Sequence, residues 1–85
     1  MIEQERRLRQ LLPDAHVHLS GSASVPGLEP RDLDLVALVE DVAGAAEILR
    51  PEYPALYADE WRDDWAAFRD PGPPQVDIVL TQAQL

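Results

Sequence analysis

Segments of helical and of alternating periodicity succeed one another along the chain. Ile2, Leu8, Leu11 and Leu12 fall on roughly one face of a helix over 2–12, which Pro13 stops. AHVHLS, residues 15–20, is short and alternating enough for a strand. The next stretch, GSASVPGLEPR, is rich in Gly, Ser and Pro and predicts a loop or a tight turn with a short helical piece. DLDLVALV, residues 32–39, is apolar on both faces once its opening alternation has passed, the mark of a central strand. DVAGAAEILR, residues 41–50, predicts a helix with Asp41 at its N-cap and Pro51 at its end. Trp61, Trp65 and Phe68 recur at i, i+4 and i+7, which favours a helix over 57–69. The rival reading makes WAAFRD the first strand of a hairpin whose turn is DPGPP. QVDIVLTQ, residues 75–82, is the last strand. The expected fold class is α/β (α+β): a small mixed sheet with helices packed on it, in a single domain over 1–85.

Composition narrows the function classes. The chain has 85 residues and no cysteine, which removes disulfides and thiolate metal sites. No apolar run is long enough to cross a membrane as a helix. The opening residues, MIEQERRLRQLL, are charged and amphipathic with no signal core, so a cytoplasmic protein is expected. Net charge is −9, and all seven cations are arginines. So acidic a surface repels a phosphate backbone and argues against an extended nucleic-acid face. A nucleotide is still compatible, because metal ions and local arginines offset its charge. A small sheet with an open edge also leaves room for a homodimer or a protein partner.

The informative chemistry is a set of acids. Asp32 and Asp34 stand two apart at the start of a strand, where period-two geometry sends both side chains to one face. Asp77 sits between Val76 and Ile78 inside another strand, although Asp is depleted in strands. Gathering three carboxylates costs several kcal/mol unless a cation offsets them. Mg²⁺ suits oxygen donors and keeps positions for phosphate and water, and two such ions about 4 Å apart would clamp an in-line phosphoryl displacement. Gly21-Ser22 follows the first strand; glycine admits close backbone approach, and turn amides with a serine hydroxyl make an anion nest.

Gly21-Ser22, nine residues, Asp32-Leu-Asp34-Leu, and then an Asp77 between apolar neighbours resemble the signature of the DNA polymerase β-like nucleotidyltransferase superfamily. The loop GSASVPGL resembles the GrpB family within it. The resemblance implies a minimal nucleotidyltransferase fold and Mg²⁺-dependent transfer of a nucleoside monophosphate from a nucleoside triphosphate to an unknown hydroxyl acceptor. It implies that Asp32 and Asp34 hold the metals, that Asp77 assists the attacking hydroxyl, and that Gly21 and Ser22 hold the phosphates. Ser24 and Arg31 are further phosphate-binding candidates. GrpB-like chains are about twice as long, which would leave half of the usual pocket missing or supplied by a partner. The alternative expectation is a nucleotidyltransferase-fold module with weak or no turnover, regulatory or antitoxin-like.

Other features carry plainer readings. His16 and His18 imitate the H-x-H strand of zinc amidohydrolases, but two histidines and no lysine cannot build that barrel site. They are expected on one face of a half-exposed strand. Gly-Ser-Ala-Ser lacks the nucleophile-elbow pattern and fits turn or phosphate chemistry. Trp61, Trp65 and Phe68 are expected in the core rather than stacked on a base, and Asp59, Glu60, Asp63 and Asp64 on a solvated face.

Overall fold

A computed structural model describes residues 2–21, 33–72 and 75–83. Helix α1 spans Glu3–Leu11. Every residue in it is a good helix former, with Glu3 and Glu5 in the first turn and Arg9 in the last, as the helix dipole favours. Leu8 and Leu12, four apart, bury the inner stripe, with Ile2 and Leu11 packed beside them. Helix α2, Val42–Leu49, is capped by Asp41, whose carboxylate accepts from the Gly44 amide at 3.0 Å. Val42, Ala45, Ala46 and Leu49 form its buried stripe. A Cβ on Gly44 would lie 2.5 Å from Asp41 Oδ2, so the cap and this glycine belong together.

Four strands form one sheet in the order β1-β2-β4-β3: β1 is His16–Gly21, β2 Leu33–Val39, β3 Trp65–Asp70 and β4 Val76–Gln82. β2 runs parallel to β4, and the outer pairs are antiparallel. β2 alternates buried and half-buried positions along its length, and β4 does so over most of its own. Leu33, Leu35, Ala37 and Val39 of β2 face the same way as Val76, Ile78 and Leu80 of β4, and join the two helical stripes in one core. The mixed sheet with helices packed on it is the fold class expected from the periodicity, and β2 is indeed interior.

The segment 57–69 departs from the favoured expectation. Only Ala58–Glu60 is helical, as one 3₁₀ turn, and Trp65–Asp70 is strand β3 of the hairpin that the rival reading described. Three aromatics at helical spacing misled because they serve different ends. Phe68 is fully buried under the sheet, and Trp61 packs on it with ring centroids 5.1 Å apart. Trp65 lies half-buried one pleat away, on the other face. Trp61 also donates its indole N–H to Leu56 O at 2.9 Å and lies 4.9 Å beneath the Arg50 guanidinium. These contacts hold residues 54–56 along the far edge of β3, where Leu56 N donates to Ala67 O and Arg69 N to Pro54 O. At the other edge of the sheet, Arg9 donates to the Val17 carbonyl of β1 at 2.8 Å.

Two predictions follow from the packing of the helices. Asp41→Ala should cost about 1 kcal/mol in urea denaturation, and much less in a Gly44→Ala background, where the added methyl already displaces the cap. Tyr53 is buried, and its hydroxyl has no hydrogen-bond partner among the described residues. Burial raises its pKa above the ordinary value, with Asp70, Glu52 and Glu3 adding to the effect and Arg7 opposing it. A raised phenol pKa means that stability is present below about pH 10 and is lost as pH rises through the folded value. Tyr53→Phe should match or exceed wild-type stability at neutral pH, and should lose less of it between about pH 8 and about pH 11.

Candidate functional site

Core packing on the inner face decides what the outer face presents. Because Leu33 and Leu35 pair with Val76 and Ile78, the residue between them on each strand must pair as well. Those residues are Asp34 and Asp77, direct register partners on adjacent parallel strands, which lie about 4.8 Å apart. Both point away from the core and are half-buried. The register continues outward on both sides: Ser20 of β1 is opposite Asp34, and Arg69 of β3 is opposite Asp77. One row therefore crosses the whole sheet, in the order Ser20, Asp34, Asp77, Arg69.

Arg69 grips Asp77 with a fork. Its Nε donates to Oδ1 at 2.7 Å and its Nη2 to Oδ2 at 3.3 Å. The two side chains are 37% and 27% exposed, so solvent screens the pair only in part. The acids were expected to need a metal ion to offset their charge; the fold supplies one positive charge of its own. Sequence reading missed Arg69 because it favoured a helix through 57–69. In the hairpin reading the residue is legible: with Asp70 opposite Val76 across the turn, Arg69 must face Asp77. The turn is closed by Asp70, whose Oδ1 accepts from the Gly72 amide at 3.0 Å, while Oδ2 accepts from Gln4 Nε2 at 2.9 Å. Gly72 has φ 70°, a conformation that favours glycine.

Of the expected site residues, the structure brings together Asp34 and Asp77. Gly21 is the last residue of β1 and pairs with Leu33, so it lies at the same end of the sheet as the acid row. Ser22, Ser24, Arg31 and Asp32 lie outside the described residues. Among the described residues no three of His, Cys, Asp and Glu are grouped to hold a metal ion. His16 and His18 are exposed on the outer face, in the two rows beyond the acids, opposite Leu38 and Val36. Asp59, Glu60, Asp63 and Asp64 are exposed, as expected, although no long helix carries them. No helix among the described residues is long and apolar enough to cross a membrane.

Comparison of the chain with protein-family models, with curated proteins and with solved structures returns no match in any of the three.

The row makes a measurable statement about charge. Arg69→Gln should lower stability by about 0.5–1 kcal/mol, since the pair is partly exposed. Adding Asp77→Asn to that variant should recover part of the loss by removing a carboxylate that stands beside Asp34. Raising the salt concentration should shrink the Arg69–Asp77 coupling in a double-mutant cycle. A second substitution that deepens the loss would mean that the carboxylates do not oppose each other.

Proposed function

We propose that the chain is a nucleotidyltransferase-like protein that binds a nucleoside triphosphate with Mg²⁺ and transfers its nucleoside monophosphate to a hydroxyl acceptor. The observation that carries this reading is the side-by-side placement of Asp34 and Asp77 at the end of the sheet where β1 runs into Gly21-Ser22. Two carboxylates on adjacent strands are a hard-oxygen donor set that fits Mg²⁺. The Arg69 fork is compatible with it, because an ionised carboxylate offers about four lone-pair sites and the fork uses two. Asp34 and Asp77 would hold the ion, with Asp32 as the third acid. When bound, the ion supplies neutralising charge to the phosphate oxygens.

The protein groups divide the remaining work. Arg69 fixes the Asp77 carboxylate in orientation, so an oxygen is ready to accept a hydrogen bond, and then the proton, from the attacking hydroxyl. Gly21 and Ser22 would bring backbone and hydroxyl donors to the phosphates, and Ser24 and Arg31 are further candidates for phosphate contact. The acceptor is a small molecule or a protein. The protein is cytoplasmic in this reading, and acts as a monomer, a homodimer or with a protein partner.

One observation favours a second reading. A guanidinium that already neutralises Asp77 does part of a metal's work, which suits a nucleotide-binding or regulatory module, antitoxin-like, with weak or no turnover.

The two readings separate by titration calorimetry. Under the first, at least one nucleoside triphosphate binds only with Mg²⁺, and Asp34→Asn and Asp77→Asn each weaken it by about tenfold or more, some 1.4 kcal/mol. Pyrophosphate release follows once an acceptor is present. Under the second, binding persists without pyrophosphate release under any acceptor tested. His16→Gln with His18→Gln should leave nucleotide binding within about threefold of wild type. Stoichiometric zinc in tag-free wild type that disappears in this double variant would move the metal site to the histidines.

A further inference from the structure

The end of the sheet away from the acid row carries a groove of about 570 Å³ between the last turn of α1, the end of β2 and α2. Five residue steps of β2 separate Asp34 from Val39 at the groove, about 17 Å, so an occupant here would not touch Asp34 or Asp77. The groove has an apolar floor and margin of Leu11, Leu12, Val39, Ala45 and Ile48. Ile48 stands at its rim 46% exposed, on the side of α2 that the buried stripe leaves outside the core. No other large aliphatic side chain among the described residues is as exposed.

Charge sets the occupant. Among the described residues three carboxylates, Asp14, Glu40 and Asp41, line the same groove, and no arginine does. Asp14 and Glu40 are exposed and have no hydrogen bond or ion pair among the described residues, whereas Asp41 serves the α2 cap. Other acids do pair, Glu3 with Arg6, Glu5 with Arg9, Glu47 with Arg50 and Glu52 with Arg7, while Asp59, Glu60, Asp63 and Asp64 are exposed like Asp14 and Glu40 but lie away from this groove. A groove with an apolar floor, an exposed isoleucine and unpaired acids on its rim is complementary to a segment that presents apolar side chains flanked by cations. We propose that it docks a basic, apolar-faced helical segment of a partner protein, its leucine-like side chains on Ile48 and Leu11 and its arginines or lysines on Asp14 and Glu40. Helical segments seat in such grooves through anchors at i, i+3 and i+4. The overall charge of −9 would steer such a partner towards the chain at low salt.

The test uses the full chain, ¹⁵N-labelled, and a synthetic amphipathic peptide of leucines and arginines at helical spacing. Amide shifts should saturate and concentrate at Ala15, Glu40, Gly44 and Ile48, leaving Asp34 and Asp77 unmoved. Affinity should fall about tenfold or more in Ile48→Glu and in Asp14→Asn with Glu40→Gln, both on exposed positions that leave the fold intact. Rising salt should weaken it. Equal binding of a peptide with glutamates for the arginines, shifts scattered over the surface, or no saturation at millimolar peptide would overturn the proposal. So would a simple alkylammonium binding as tightly as the peptide, or a concentration-dependent dimer of the wild type that Ile48→Glu abolishes, which would assign the groove to a second copy.

Discussion

The parallel pairing of β2 with β4 is the constraint on which the remaining structure hangs. It brings together the two strands with the longest runs of buried aliphatics, and its register is fixed from the inner face. Leu35 beside Ile78 and Ala37 beside Leu80 can interlock with the helices in one alignment only, because a slip by one residue would turn each side chain over. Burying a leucine, isoleucine or valine contributes about 1.5–3 kcal/mol, and several such residues share this seam. Like charges directly opposite each other on a sheet cost up to about 1 kcal/mol. The core therefore decides the register, and the adjacency of Asp34 and Asp77 is imposed on the outer face against their mutual repulsion. Arg69 then relieves what the core has imposed.

That order of causes explains what could be read from the chain and what could not. Both helices, with the Asp41 cap, and the strands β1, β2 and β4 follow local patterns of 3.6 or 2, and the structure keeps them within a residue or two of their expected ends. The interior position of β2 was legible because Val36 and Leu38 are apolar on the outer face as well. β3 was ambiguous because its burial does not alternate: Ala66, Ala67 and Phe68 are all buried, so no clean period of two survives in the sequence. The reason lies in tertiary structure, since residues 54–56 cover the far edge of that strand. The pairing of Asp34 with Asp77 was anticipated from chemistry, but the partner Arg69 depended on choosing the hairpin, and with the helix reading it was lost.

The two ends of the sheet are chemically distinct although both are acidic. At the start of β2 the acids are set in a rigid row across hydrogen-bonded strands, with an arginine locked to one of them. At its end, Asp14 and Glu40 ride on turns, beside an exposed aliphatic. The first arrangement holds oxygen atoms at fixed spacing, as a small hard ion or a phosphate site requires. The second offers diffuse charge over an apolar surface, which suits long, adaptable cationic side chains. A single acidic composition thus yields two different surfaces, and the difference comes from what each carboxylate is mounted on.

The clamp on Trp61 has a consequence for how the molecule can be watched and how it can fail. The indole sits between Phe68 and the Arg50 guanidinium, with its N–H tied to the Leu56 carbonyl. The backbone it secures is the one that closes the outer edge of β3. Release of the indole into water would remove one of the ties that hold this cover, leaving the backbone bonds of Leu56 and Arg69 to keep the strand edge paired. The red shift and quenching of this tryptophan's emission would mark the loosening of that cover, before the core itself comes apart.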